Sequence, residues 1–312
     1  MIVSLVIPAF KASETISSTL ASVFAAPLPE SWRLDVLVVN DGSPDTLTLE
    51  TTLQNFPNVT YLSYELNQGK TIAVNLGFAQ TRGEVVIPLD ADDTLVPDWT
   101  TKLFAILDTW PEDAPICFSA CRTQLGESTV ADPCYTGPLS LNDMLNERHM
   151  GEYLPMFRGD ALRAAKGYRD MGEAFGCELW TYLGFAEHAD LWISSEVLRI
   201  YHVGRKGSIT SNMYTQKTAK RVVRCYDLIF ADFEAAYRAH APEHLGRRRL
   251  RQAVFAAISG QRSRAWALWK MGVRRNAPLE SMAALFLIAL NPGTIGALVH
   301  LAKKARIVRR FG

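Results

Sequence analysis

The sequence predicts a mostly parallel α/β sheet with helices on both faces, followed by a helical appendage. Three observations carry that prediction. Four short apolar runs alternate with helical spacing in the first 120 residues, their carboxyl-side loops are rich in Asp, Asn and Gly, and the spacing turns helical from about residue 212 onward.

The first run is Ile2 to Pro8, after which Ile16, Leu20, Val23 and Phe24 recur at helical spacing behind a possible cap at Ser13. Leu34 to Val39 is a second strand, ending at Asn40-Asp41-Gly42-Ser43 and leading into a helix with Ser43 as cap and Pro44 at its first position. Val59 to Leu62 gives the third. Beyond Asn67-Gln68-Gly69-Lys70, the residues Ile72, Leu76 and Ala79 line one face of a helix that Gly83 ends. The fourth run, Val85 to Leu89, delivers Asp90-Ala91-Asp92-Asp93, and Pro97 opens a helix through Trp99 and Leu103. A βαβαβαβ order places ligands at the carboxyl ends of the strands, where Phe10, Asp41 and Asp90 to Asp93 converge.

The acidic cluster admits two readings. Asp90 and Asp92 share a strand face, so their repulsion calls for a cation or a set of donors between them, and a hard divalent ion shared with phosphate suits the site. The alternative is an acidic loop that caps the next helix.

Composition narrows the class. At 312 residues and 48% hydrophobic, the chain buries a full core, and its five cysteines form no CxxC pair, which predicts neither a zinc site nor a disulfide framework. A reducing compartment and a cytoplasmic location are expected, because Met1 leads directly into a strand with no basic leader. The net charge of +1 conceals an asymmetry. Residues 1–198 hold 11 Lys/Arg against 27 Asp/Glu, and residues 199–312 hold 22 against 5. A nucleic-acid arm, an anionic-lipid patch, a phosphate clamp and a solvated helical surface all fit such a basic segment.

Several motifs together resemble the inverting family 2 glycosyltransferases of GT-A fold. They are Ser4-Leu5-Val6-Ile7-Pro8-Ala9-Phe10, Val38-Val39-Asn40-Asp41-Gly42-Ser43, Asn67-Gln68-Gly69-Lys70 with Asn75-Leu76-Gly77, and Arg82-Gly83-Glu84 before Leu89-Asp90-Ala91-Asp92-Asp93. Looser echoes follow at Met156-Phe157-Arg158, Gly167-Tyr168, Glu178-Leu179-Trp180 and Tyr201-His202-Val203.

The resemblance implies a nucleotide-sugar half over 1–120, an acceptor half over 121–210 and a separate basic helical region over 211–312. It implies that Phe10 packs beside the base, Asp41 accepts from its imide, Asp90 contacts ribose or sugar, and Asp92 binds Mn²⁺ or Mg²⁺ at the diphosphate. Pro8, Glu14, Lys70, Asn75 and Ala91 complete the expected nucleotide-sugar lining, and Arg205, Lys206 and Ser208 the diphosphate side.

Two positions depart from the family pattern. The Glu-Asp pair that usually supplies the general base is missing, and the expected Asp falls on Gly176, which leaves Glu178 as first choice and Glu173 as second. Val74 stands where many relatives carry Arg, so Lys70 is the cation expected near the nucleotide.

In the last third, Trp266 and Trp269 lie among Arg262, Arg264, Lys270, Arg274 and Arg275. Both a helical bundle with solvated basic residues and a peripheral contact with an anionic membrane fit this pattern. Met282 to Leu290 is too short to span a bilayer. The expected function is metal-assisted, inverting transfer from a nucleotide sugar, most simply a UDP-sugar, to a surface glycan or lipid-linked acceptor. A catalytically silent sugar-nucleotide-binding or scaffold protein is the main alternative, and a nucleotidyltransferase the weaker one.

Overall fold

A computed structural model describes residues 1–172, 177–203, 214–273, 278–291, 293–294 and 298. The chain divides into two compact units, Met1–Leu141 with His149–Val203, and Asn142–Arg148 with Gly204–Gly312.

In chain order the elements before the break at 204 are β1 (Ile2–Ala9), α1 (Ile16–Ala25), β2 (Arg33–Asp41), α2 (Thr46–Leu53), β3 (Val59–Tyr64), α3 (Lys70–Gln80), β4 (Val85–Pro88), β5 (Thr94–Leu95), α4 (Trp99–Thr109), β6 (Ile116–Thr123), β7 (Gly137–Leu139), α5 (Leu141–Leu145), β8 (Leu154–Arg158), α6 (Gly159–Ala165), α7 (Glu178–Ala186) and β9 (Leu191–Tyr201). One sheet runs β3-β2-β1-β4-β8-β6-β9-β5, with β7 pairing with β9. The four predicted strands pair in parallel in the order β3-β2-β1-β4. Beyond them the sheet is mixed, because β8 is antiparallel to both β4 and β6, and β5 to β9.

The apolar runs are explained by burial on both faces, as in any helix-covered parallel sheet. Leu5, Ile7, Val38 and Ile87 join Leu20, Val23, Trp99 and Leu103 in one core. The indole N–H of Trp99 donates to the Val23 carbonyl at 3.2 Å, which satisfies the core's largest side chain.

Local boundaries differ from the sequence reading in three places. Helices α1, α2 and α4 start at Ile16, Thr46 and Trp99, because Ser13, Ser43 and Pro97 lie in the loops that precede them. Ser13 and Ser43 instead serve a loop network described below. The buried face of α3 is Thr71, Ala73, Val74, Gly77 and Phe78, one step round from the expected Ile72, Leu76 and Ala79. Close approach sets this, since a Cβ on Gly77 would lie 2.3 Å from Val6 Cγ1. Among the described cysteines, Cys117, Cys121 and Cys134 are free thiols.

The second unit is helical over its described residues: α8 (Gln216–His240), α9 (Pro242–Ile258), α10 (Arg262–Gly272) and α11 (Pro278–Ala289). The Thr215 hydroxyl caps α8 by accepting from the Thr218 amide at 3.3 Å. The basic run in α9 is not merely solvated. Arg248 and Arg249 are buried, Arg249 pairs with Glu234 at 2.8 Å over the Phe230 ring, and Arg248 reaches Glu147 at 3.0 Å. That single Glu147 carboxylate also faces Arg251 at 3.3 Å and His244 at 3.7 Å.

Burial, reinforced by Arg247, Arg248 and Arg251 against the attraction of Glu147, holds His244 below the ordinary imidazole pKa. Its folded-state pKa is therefore below its unfolded value, so the unfolded chain binds more protons and stability falls as pH drops through the usual imidazole range. Between about pH 7 and pH 5 the wild type is expected to lose thermal stability more steeply than His244→Gln, as measured by parallel melting curves.

Candidate active site

The parallel strands end at one edge, and their exit loops gather most of the predicted residues there. Asp41 closes β2 and is only 3% exposed. Its Oδ1 accepts the Tyr64 hydroxyl at 2.6 Å and the Gln68 amide at 2.8 Å, the Gly69 N–H straddles both oxygens at 3.1 and 3.0 Å, and the Asn67 side chain donates to Oδ2 at 2.9 Å. A carboxylate offers about four acceptor positions, so this loop occupies them. Asp41 thus fastens the β2 exit to the 67–69 loop. Burial and the bond to Asp41 push the Tyr64 phenol far above its usual range.

Gly42 allows that closure. Its φ is +58°, and a Cβ there would lie 2.4 Å from the Asn67 nitrogen and 2.5 Å from the Leu66 carbonyl carbon. Gly42→Ala is expected to cost roughly 2 kcal/mol or more, read as a lowered unfolding midpoint, with nucleotide affinity falling alongside.

Phe10 stands at the β1 exit, 43% exposed, with the Lys11 ammonium 5.4 Å from its ring. The Lys11 N–H donates to Ser43 Oγ at 2.7 Å, Ser43 donates to Asp45, and the Ser13 N–H reaches Asp45 at 3.0 Å. Burial raises the Asp45 pKa, but these bonds outweigh it and hold the carboxyl below its ordinary value. The β1 and β2 exits are therefore latched together beneath an accessible aromatic face. Pro8 is half-buried within β1, and Glu14 is exposed on the same loop.

The loop after β4 carries the densest charge. Lys70, the first residue of α3, places its ammonium 2.6 Å from Asp90 Oδ1. Burial opposes charge on Lys70, yet Asp90 and then Glu178 outweigh it and raise its pKa. Burial likewise opposes the Asp90 carboxylate, while Lys70 and Arg199 hold it below the usual range. Ala91 is buried, and its carbonyl accepts the Thr19 hydroxyl at 2.9 Å. Asp92 is half-buried between them and Asp93. Asp93 lies fully inside, its amide turned back on the Asp90 carbonyl at 3.1 Å, its Oδ1 accepting the His202 N–H at 2.9 Å and its Oδ2 3.3 Å from Arg199. Burial, opposed by Arg199 and aided by Asp90, raises its pKa to about 7.

Sequence reasoning missed Arg199. From β9 it reaches Asp93, Glu152 at 2.9 Å, the Tyr153 carbonyl at 3.0 Å and Cys121 Sγ at 3.2 Å. A lone arginine between Leu198 and Ile200 in an otherwise apolar strand end was the available signal. It joins the acidic loop to β6 and the β8 side of the sheet.

Glu178 opens α7, half-buried, and its charge acts on Lys70, Tyr168 and Tyr182. Those tyrosine hydroxyls lie 3.2 Å apart. Asn75 holds Tyr168 in place with both ends of its amide, donating to the Tyr168 carbonyl and accepting its N–H, each at 2.8 Å. Asn75 therefore positions an aromatic wall of the site. Glu173, Arg205, Lys206 and Ser208 lie outside the described residues.

Among the described residues no group of three or more His, Cys, Asp and Glu side chains converges on one point. Asp90 is paired with Lys70 and Asp93 with Arg199, Asp92 is half-buried in the same loop, and the His202 ring has a buried Nδ1 that makes no hydrogen bond and lies 4.0 Å from Asp93 Oδ1. This set fits a hard cation that takes few protein donors and fills its coordination with phosphate oxygens and water.

Residues 4–136 match glycosyl transferase family 2. An undecaprenyl-phosphate 4-deoxy-4-formamido-L-arabinose transferase of Pseudomonas fluorescens is 34% identical over 104 residues, covering 32% of this chain and 30% of that protein. The chain spans well under half the length of the curated relatives it matches, 40% of one from Synechocystis and 23% of a poly-beta-1,6-N-acetyl-D-glucosamine synthase of Staphylococcus epidermidis. The fold resembles S. aureus TarS 1–349 in complex with UDP-GlcNAc, at TM-score 0.57 and 16% identity over 97% of this chain and 88% of that one. It also resembles a mannosyltransferase of Pyrobaculum calidifontis in complex with GDP-Man and Mn²⁺, at TM-score 0.58 and 17% identity over 97% and 87%. The fold is thus of GT-A type, a mixed α/β sheet followed by helices.

Proposed function

We propose, from a chain whose residues 4–136 fall in glycosyl transferase family 2, that this protein transfers a sugar from a nucleoside-diphosphate donor to an acceptor hydroxyl with inversion. The observation that carries the reading is the junction of Lys70, Asp90 and Glu178 at the carboxyl edge of the parallel strands, beside an exposed Phe10. Phe10 offers a face for the base, and the latched loops beneath it fix its height over the sheet. Lys70 keeps Asp90 ionised, so Asp90 accepts hydrogen bonds from ribose or sugar hydroxyls. Asp92, with His202, would hold a divalent cation, which when bound neutralises charge on the departing diphosphate.

Glu178 is the proposed base. From the first turn of α7 it takes the acceptor's proton, while Tyr168 and Tyr182, both held neutral by burial and the nearby carboxylate, line the approach with hydroxyl donors. Relatives that act on undecaprenyl phosphate or build a glycan support a lipid-linked or glycan acceptor, presented at a membrane surface. UDP-sugar is the donor we favour, with the UDP-GlcNAc complex of TarS as support.

The test is nucleotide release from a panel of UDP- and GDP-sugars, with and without Mn²⁺. Saturable release from one donor class supports the proposal; failure to bind or consume any donor sinks it and leaves a silent binding or scaffold role.

A further inference from the structure

Strand β9 breaks its ladder just before Arg199. It runs parallel to β6 with Cys117 opposite Trp192, Phe118 opposite Ile193 and Ser119 opposite Ser194, but the next partners are Ala120 with Val197 and Cys121 with Arg199, so β9 bulges between Ser194 and Arg199. The buried Ser119 hydroxyl stitches the gap, donating to the Glu196 carbonyl at 2.7 Å and accepting the Leu198 N–H at 3.2 Å. A bulge bends its strand and re-aims the side chain that follows. Here that side chain is Arg199, 3% exposed, in register with Cys121 on β6 and Leu95 on β5.

The guanidinium of Arg199 is divided between two parts of the site. One nitrogen faces Asp93 at 3.3 Å, and Asp93 in turn accepts the His202 N–H at 2.9 Å, which draws the acidic loop onto the end of β9. Another donates to Glu152 at 2.9 Å and to the Tyr153 carbonyl at 3.0 Å, just before β8. The Tyr153 ring packs edge-on against Phe118 at 6.0 Å, and Phe118 packs at 5.0 Å against Tyr182, whose hydroxyl meets that of Tyr168. Stability alone is a poor reason for such a residue, because desolvation offsets most of the attraction in a buried ion pair and apolar replacements are often as stable. A planar fork that reaches two carboxylates and a carbonyl is suited instead to fixing distances.

We propose that Arg199 is a positioning residue for the transfer reaction, holding the loop of Asp90 and Asp92 at a set distance from the aromatic wall of Tyr168 and Tyr182. This deepens the function proposed above and rests on it. Reacting groups misplaced by about 1 Å lose on the order of 10²-fold in rate, whereas binding of the donor's nucleotide end beside Phe10 is little changed.

Nucleotide release is measured in the full-length protein with whichever UDP- or GDP-sugar wild type consumes, beside thermal melting. Arg199→Lys keeps the charge but cannot span all the partners, and is expected to lower kcat about 10- to 100-fold with the donor KM within about threefold. Asp93→Asn is expected to lower kcat as well, and Asp93→Asn/Arg199→Lys to lose no more than Arg199→Lys does, as residues acting through one contact are not additive. Arg249→Lys, which takes a buried arginine fork from Glu234 in the second unit, is the control for lost packing: its melting midpoint should fall while kcat is unchanged. Should Arg199→Lys fail to fold, Asp93→Asn decides, since it weakens the same contact and keeps the arginine. Wild-type kinetics in the variant that folds, additive losses in the double variant, or an equal kcat loss in Arg249→Lys overturns the proposal. A wild type that consumes no donor sinks the function proposed above and this role with it, whereas an active wild type matched by Arg199→Lys removes the role of Arg199 alone.

Discussion

Asp92→Asn is expected to lower glycosyl transfer by about 10²- to 10³-fold and to abolish the stimulation of donor binding by Mn²⁺. Asp90 is held by Lys70 at 2.6 Å, and Asp93 is enclosed against Arg199 and the His202 amide. Asp92 is half-buried on the same loop, on a turn fixed by the Asp93-to-Asp90 hydrogen bond. Replacing it with Asn keeps the shape of the turn and removes one negative charge, so folding should be preserved. The two readouts are steady-state transfer and calorimetric titration of nucleoside diphosphate with and without cation. Unchanged cation dependence in Asp92→Asn would show that the loop serves only as structure.

The sheet was largely legible in the sequence and the charged site only in part. Ile2 to Pro8, Leu34 to Val39 and Val85 to Leu89 read as strands because burial on both faces forces uninterrupted apolar runs. Helix starts were less legible. Ser13 and Ser43 carry the chemistry of caps, but that same chemistry lets them join a loop-to-loop network, and composition does not distinguish the two uses. The face of α3 shifted by one residue because Gly77, absent from any hydrophobic count, is the point of closest approach to β1.

The same limit applies to roles within the site. The pattern placed Asp41 and Asn75 at the carboxyl edge of the strands, but what each side chain touches depends on residues 23 to 93 positions away, Tyr64, Asn67 and Tyr168 among them. Arg199 illustrates the converse. It comes from the far side of the mixed sheet through pairings of β9 with β6 and β5, which no local pattern predicts, yet it reaches the acidic loop. Buried arginines in α9 escaped for a related reason: a run of basic residues reads as solvated until the few acids that pair with them, Glu147 and Glu234, are placed.

Glu178→Gln is expected to lower transfer by about 10²- to 10⁴-fold while leaving donor affinity within about threefold, because the amide keeps the size of the side chain and cannot accept a proton. The position supports a base more than a cap. Cys177, not Glu178, occupies the N-cap of α7, no side-chain capping bond is made there, and the Glu178 charge is felt by Lys70, Tyr168 and Tyr182 across the site. A structural carboxylate would show its loss as reduced stability; a base shows it in the pH profile. In the wild type kcat should fall on the acid side as the base is protonated, and that limb should vanish in Glu178→Gln, leaving a low, flat rate. Glu173→Gln is the comparison, since Glu173 precedes the same helix and was the second choice from sequence. If Glu173→Gln removes the acid limb and Glu178→Gln preserves it, the proton leaves through Glu173, and Glu178 serves to hold Lys70 charged beside Asp90. If neither substitution changes the profile, the acceptor's proton is not taken from this helix at all, and the loss of a Glu-Asp pair from the family pattern marks a chain that binds a nucleotide sugar without transferring it.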